Sequence, residues 1–108
     1  MKRSLNHAAI LFLAASIVTP AFAQSGGADV YKANCATCHG TDGLGDTPVG
    51  KALKAASYKN PALVKAPDAE LIAAITKGKN QMPAFAGKLT NVQIKAVVTY
   101  IRTLQKSK

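Results

Sequence analysis

The chain has 108 residues, with 14 Lys and Arg against 5 Asp and Glu, a formal net charge of +9 and no tryptophan. This length holds one small domain and excludes a multidomain architecture. So basic a chain favours acidic partners, anionic surfaces or nucleic acid, but it has no Arg-rich run or recognition motif for nucleic acid.

The first stretch, MKRSLNHAAILFLAASIVTPAFAQ, reads as a secretory signal peptide. Lys2 and Arg3 form a positive start, and Ala8 to Val18 an uncharged apolar run of eleven residues. Pro20 ends that run, and Ala21-Phe22-Ala23 is a small-x-small cleavage signature. A spanning helix needs roughly 20 apolar residues, so residues 1–23 are expected to be cleaved rather than to anchor the protein. The expected domain is then 24–108, exported to the periplasm, with no nucleic acid in reach and no stable membrane insertion after cleavage. His39, Met82 and the pair Cys35 and Cys38 become the only histidine, methionine and cysteines of that domain. Twelve basic side chains remain against five acidic ones, a net of +7, of which residues 66–108 carry +5.

A helix is expected from Gly27 through Cys35-Ala36-Thr37-Cys38-His39, with Val30, Tyr31, Asn34, Cys35 and Cys38 along one side. A glycine-rich loop, G-T-D-G-L-G-D-T-P-V-G, runs from Gly40 to Gly50. Lys51 to Ser57 suit one or two helical turns, ended by the turn signal Asn60-Pro61. The next helix begins at Pro67, with Asp68 and Glu70 at the positive end of its dipole. Leu71, Ile72 and Ile75 form its apolar face, and Gly78 is free to take the left-handed cap. The loop Asn80-Gln81-Met82-Pro83-Ala84-Phe85 follows, and a residue before proline is pushed out of helix. Thr90-Asn91-Val92-Gln93 is a capping box, with Leu89 and Ile94 as a hydrophobic staple. Ile94, Val97, Val98, Ile101 and Leu104 keep helical spacing after it. Three main helices and no strand make an all-α domain.

Such a small domain usually needs a staple, and C-A-T-C-H is the place to look for one. A structural zinc site takes four ligands; here there are three, two of them adjacent. A thioredoxin-like pair needs a strand-to-helix junction, which this pattern lacks. A disulfide across two intervening residues closes too small a loop to restrain the chain much. It also leaves His39 unexplained. Haem attachment fits the whole pattern: Cys-x-x-Cys-His is the signature of c-type haem. On a helix its three side chains share one face, so two thiols can bond the vinyl groups while His39 reaches the iron. Met82, the sole methionine of the mature region and in a loop, is the candidate for the second axial position. Its competing use is to fill a gap in the core.

Across the mature region the chain resembles a class I c-type cytochrome, the small soluble monohaem kind of bacterial periplasm and thylakoid lumen. The resemblance rests on C-A-T-C-H-G, the following G-x-x-G-x-G, M-P-A-F and the order of the helices. It implies a cytochrome c fold around one covalent haem c, with Cys35 and Cys38 as thioethers and His39 and Met82 as axial ligands. It also implies that the terminal helices cross at a small residue and an aromatic one. Gly27 and Tyr31 match on the first helix, and Val97, Tyr100 and Ile101 on the last. Pro48 is the candidate carbonyl for the His39 Nδ1 proton. Tyr58, Asn80 and Gln81 are candidates to replace the tryptophan that many relatives place near a haem propionate.

The implied function is a soluble, monomeric one-electron carrier, not an enzyme, in the periplasm or, in a photosynthetic cell, the thylakoid lumen. Redox protein partners with acidic docking patches would meet Lys77, Lys79 and Lys88, which flank Met82. The alternative role is a dedicated haem subunit of a periplasmic dehydrogenase or sulfur-oxidising complex. A third is a gas-binding haem with Met82 off the iron.

Overall fold

The computed structural model describes residues 22–108, with side chains from Gly26 onward. The expected signal peptide, residues 1–23, therefore lies almost wholly outside the described residues. Six helical segments follow in order: α1 (Phe22–Asn34), α2 (Ala36–His39), α3 (Pro48–Leu53), α4 (Pro61–Lys65), α5 (Asp68–Lys77) and α6 (Asn91–Lys106). Among the described residues the only β pairing is two isolated bridges, Lys79 with Met82 and Ala86 with Leu89. The all-α expectation holds, with α1, α5 and α6 as the long elements.

Helix α6 is built as its sequence predicts. Gln93 N–H donates to Thr90 Oγ1 (3.1 Å), and Thr90 N–H donates to Gln93 Oε1 (2.8 Å). This reciprocal cap satisfies two backbone donors that the helix itself leaves without partners. Ile94, Val97, Val98 and Ile101 then form its buried face. That face lies across α1, and the two backbones meet at Gly27 with no side chain between them. A Cβ on Gly27 would come 2.4 Å from the Ala96 carbonyl oxygen. One helical turn on, the rings of Tyr31 and Tyr100 pack with centroids 5.1 Å apart. The crossing of a small and an aromatic residue is thus present at the expected positions.

Helix α5 carries Asp68 and Glu70 in its first turn and Lys77 in its last, and it buries Leu71 and Ile75. Pro67 is its N-cap rather than its first helical residue. Gly78 has φ 76° but ψ 168°, so it leaves the helix toward extended backbone rather than through the left-handed cap. Arg102 of α6 ties this region down. Its guanidinium donates to the carbonyls of Leu63 (3.1 Å) and Ala66 and to Asp68 Oδ1 (2.9 Å).

Three further local expectations are corrected. The first helix does not run unbroken through Cys35, whose φ of −118° separates α1 from α2. The glycine-rich loop does not reach Gly50, because Thr47 caps α3 with its hydroxyl on Gly50 N–H (2.9 Å) and Pro48 begins it. Asn60-Pro61 does not end a helix but starts one: Asn60 Oδ1 accepts from Ala62 N–H (3.0 Å), and proline suits the first turn.

Candidate functional site

Despite the change of helix at Cys35, the attachment segment keeps one helical turn of hydrogen bonds. Cys35 N–H donates to the Tyr31 carbonyl (2.8 Å) and His39 N–H to the Cys35 carbonyl (2.9 Å). Cys35, Cys38 and His39 therefore project to one side, and all three line a cavity of about 360 Å³. That lies within the range of small-molecule and cofactor sites. Leu71 and Ile75 of α5, Ile101 of α6 and Phe85 add apolar walls, and Met82 lines the same cavity from its loop. The expected site residues are thus brought together from both ends of the sequence.

His39 is held in one tautomer. Its Nδ1 lies 3.0 Å from the Ala56 carbonyl oxygen. A carbonyl can only accept, so Nδ1 carries the hydrogen and Nε2 keeps the lone pair that a metal needs. Burial lowers the His39 pKa from 6.5, opposed in part by the Ala56 hydrogen bond. The neutral ring, the form that binds metal, is the one favoured.

The acceptor corrects an expectation, since Pro48 does not supply it. As the first residue of α3, Pro48 turns its carbonyl along that helix. Nothing local marks Ala56 in the sequence, because every residue carries a carbonyl. The signal lies in the glycine motif. A Cβ on Gly45 would come 2.6 Å from the Ala55 carbonyl oxygen and 3.1 Å from that of Ala56. With φ 73°, Gly45 lets the 55–58 segment lie against the loop.

No disulfide joins Cys35 to Cys38. Burial, with the neighbouring Cys38 adding to it, pushes the Cys35 thiol up to about 11. Thiol-redox pairs depend on the opposite shift, toward an easily formed thiolate. The arrangement therefore does not resemble a disulfide-exchange site. Behind the pair, Thr47 Oγ1 lies 2.6 Å from the Thr37 carbonyl oxygen and 3.1 Å from that of Cys38. It anchors the C-terminal carbonyls of α2, a role its sequence position did not announce.

The methionine loop is clipped to the end of α5. Lys79 and Met82 exchange two backbone hydrogen bonds (3.1 and 2.9 Å), closing a tight turn with Asn80 at φ 54°. Phe85 N–H then donates to the Ile75 carbonyl (3.0 Å) and Ala86 N–H to that of Thr76 (3.1 Å). A Cβ on Gly78 would come 2.7 Å from the Met82 carbonyl oxygen. Of the three lysines expected to steer partners, Lys79 lines the cavity, joined there by Lys54, which the pattern had not singled out. Lys88 extends over the Phe85 ring, 5.9 Å from its centroid, and Lys77 ends α5. Asn80 and Gln81 line the cavity. Tyr58 lines the cavity too, with its ring lying on His39.

The donor set suits a c-type haem. Two thiols stand one helical turn apart, a neutral imidazole presents Nε2, and a thioether shares their largely apolar cavity. No additional acidic or basic group is needed to complete that set.

Comparison with known proteins gives concordant results. The family described as "Cytochrome C oxidase, cbb3-type, subunit III" matches residues 22–101. Cytochrome c6 of Nostoc sp. (strain PCC 7120) is 40% identical over 75 residues, covering 69% of this chain and 65% of that protein. The cbb3-type cytochrome c oxidase subunit FixP of Azorhizobium caulinodans is 38% identical over 80 residues. That match covers 72% of this chain but 26% of FixP, so the chain spans about a quarter of that relative. Among solved structures, the KustC0563 c-type cytochrome superposes with a TM-score of 0.67 at 33% identity, covering 73% of this chain and 96% of that one.

Proposed function

The chain belongs to the small class I c-type cytochromes, and from that premise we propose that it is a one-electron carrier whose haem iron is held by His39 and Met82. It carries covalent haem c, and its work is electron transfer rather than catalysis. Haem c supplies a couple that gains or loses one electron. The residues do the rest. Cys35 and Cys38 tether the group as thioethers, and Ala56 keeps His39 in its binding tautomer. A soft thioether at the second axial position, in an apolar cavity, favours the reduced state and raises the potential.

One observation carries this reading: His39, with Nδ1–H committed to Ala56, shares a single cavity with Met82. If both ligands bind, no axial position is open to a substrate or gas. The test is the visible spectrum of the exported protein, oxidised and reduced. Sharp reduced α and β bands with the weak ferric iron–methionine band in the red are expected. Haem bands without the red band, together with carbon monoxide binding, would overturn the Met82 assignment.

We further propose that residues 1–23 are removed on export and that the carrier works in the periplasm as a monomer. Among the described residues no helix is long and apolar enough to cross a membrane. Lys54 and Lys79 at the cavity would attract acidic patches on redox partners, through weak and salt-sensitive encounters. Mass spectrometry of the mature protein should give an N-terminus at Gln24. A second reading, a haem subunit fixed in a larger complex, draws support from the likeness to the cbb3 family and FixP. In that case the haem absorbance would elute from native extracts with a large assembly rather than as a single chain.

A further inference from the structure

The ring of Tyr58 lies flat against the imidazole of His39, with centroids 4.6 Å apart and planes within 18°. Such closeness to parallel needs both rings to be held, and Tyr58 is held through its backbone and one ring edge. Its N–H donates to the Gly43 carbonyl (2.8 Å), and its own carbonyl accepts from Gln105 Nε2 of α6 (3.1 Å). Tyr31 packs beside it, ring centroids 6.1 Å apart, and donates its own hydroxyl to the Gly40 carbonyl (2.7 Å). One edge of the ring rests on Gly43, where a Cβ would come 2.6 Å from Tyr58 Cδ2. The ring itself is buried, 8% exposed.

We infer that Tyr58 is a positioning residue for the axial histidine, setting the plane of the His39 ring; this rests on the proposal that His39 binds the iron. The hydrogen bond from Nδ1 to Ala56 fixes the tautomer, but one hydrogen bond tolerates a good deal of tilt. A parallel aromatic face removes that freedom, because tilting the imidazole drives its edge into the tyrosine ring. Ala56 and Tyr58 are two residues apart, so a single stretch of chain delivers both constraints. Gly43 and Gly45 are what let this stretch lie against His39, since each would otherwise direct a Cβ into it. The G-x-x-G-x-G pattern after the attachment motif is therefore the seat of the histidine clamp.

The plane of an axial imidazole governs how unpaired spin spreads over the ferric haem, so the haem-methyl proton shifts report its angle. The experiment compares those shifts, and the reduction potential, in wild type, Tyr58→Phe and Tyr58→Leu holoproteins. Tyr58→Phe keeps the flat ring and should keep the methyl pattern, despite losing the hydroxyl. Tyr58→Leu fills similar space without a plane, and its methyl shifts should move or average, with a change in potential. Unchanged shifts in a folded Tyr58→Leu protein would overturn the inference. So would a Tyr58→Phe variant whose pattern moves, a result that stands even if the leucine variant does not fold. Wild-type hyperfine-shifted ring signals from His39 separate the two levels of argument. If they are missing, the axial assignment fails and the inference falls with it; if present with insensitive methyl shifts, only the role of Tyr58 fails.

Discussion

Gly27 on α1 and Ala96 on α6 touch backbone to backbone: a Cβ on the glycine would come 2.4 Å from the Ala96 carbonyl oxygen. No rotamer can relieve that contact, because both partners are main chain. Gly27→Ala should therefore pry the terminal helices apart, at a cost of about 1–3 kcal/mol in the range of overpacked cores. Gly26 next to it has open space around its Cα. There the same change meets no neighbour, and in a mature chain starting at Gln24 it should leave stability within about 0.5 kcal/mol. Thermal unfolding of the two holoproteins, one shifted down and the other nearly unmoved, checks the pair. Equal shifts would contradict the crossing.

Gly78 governs the methionine loop rather than the core. It has φ 76°, and a Cβ would lie 2.7 Å from the Met82 carbonyl oxygen and 2.8 Å from Ala84 N. Gly78→Ala is expected to loosen the turn that presents Met82. The ferric red band should weaken or vanish and carbon monoxide should gain access to the reduced protein, while α6 and its helical signal persist. Retention of the full red band would show that the loop tolerates the side chain.

Arg102 joins α6 to α4 and the α4–α5 connection by donating to the backbone carbonyls of Leu63, Val64 and Ala66. Arg102→Ala leaves those acceptors half-buried and should cost about 1–3 kcal/mol, the penalty for orphaned polar groups. Lysine cannot reproduce the fork, so Arg102→Lys should recover little of it. Asp68 is the exposed partner of the same guanidinium, with 65% of its side chain accessible. Asp68→Asn should cost under about 1 kcal/mol, as exposed pairs do. Urea unfolding of the three variants ranks them, and an aspartate effect as large as the arginine effect would reverse the assignment.

Tyr31 gives the protein an alkaline limit. Burial raises its phenol above 10, opposed by the Tyr58 hydrogen bond and reinforced by Cys35, Tyr100 and Asp42. In the unfolded chain the phenol gives up its proton near 10, whereas the folded chain holds it to higher pH. Above 10 the folded state binds more protons, so stability falls as pH rises. One such group contributes a slope of up to about 1.4 kcal/mol per pH unit. Tyr31→Phe should flatten the fall in stability above pH 10 relative to wild type, measured by denaturant unfolding. Parallel curves would remove Tyr31 from the account.

What could be read without coordinates was what depends on short-range spacing. The three side chains of C-A-T-C-H share a helical face because i, i+3 and i+4 must do so, and the cavity contains all of them. The capping box of α6 is likewise a matter of residues three apart, and both of its bonds are present. Turn punctuation was harder. Asn60-Pro61 has the same letters whether it ends one helix or starts another, and the asparagine side chain capping Ala62 decided the matter.

The sequence alone carried the donor set of this protein: a Cys-x-x-Cys-His motif, Met82 in a loop and amphipathic helices to surround them. Those are properties of side chains, and side chains are spelled out residue by residue. Only the tertiary structure settled which carbonyl orients His39, which ring lies on it and why the loop glycines must be glycine. Pro48 and Ala56 offer chemically equivalent carbonyl groups, and no local rule ranks them. Folding selects between them, because one carbonyl is turned along α3 and the other is seated against His39 by Gly45.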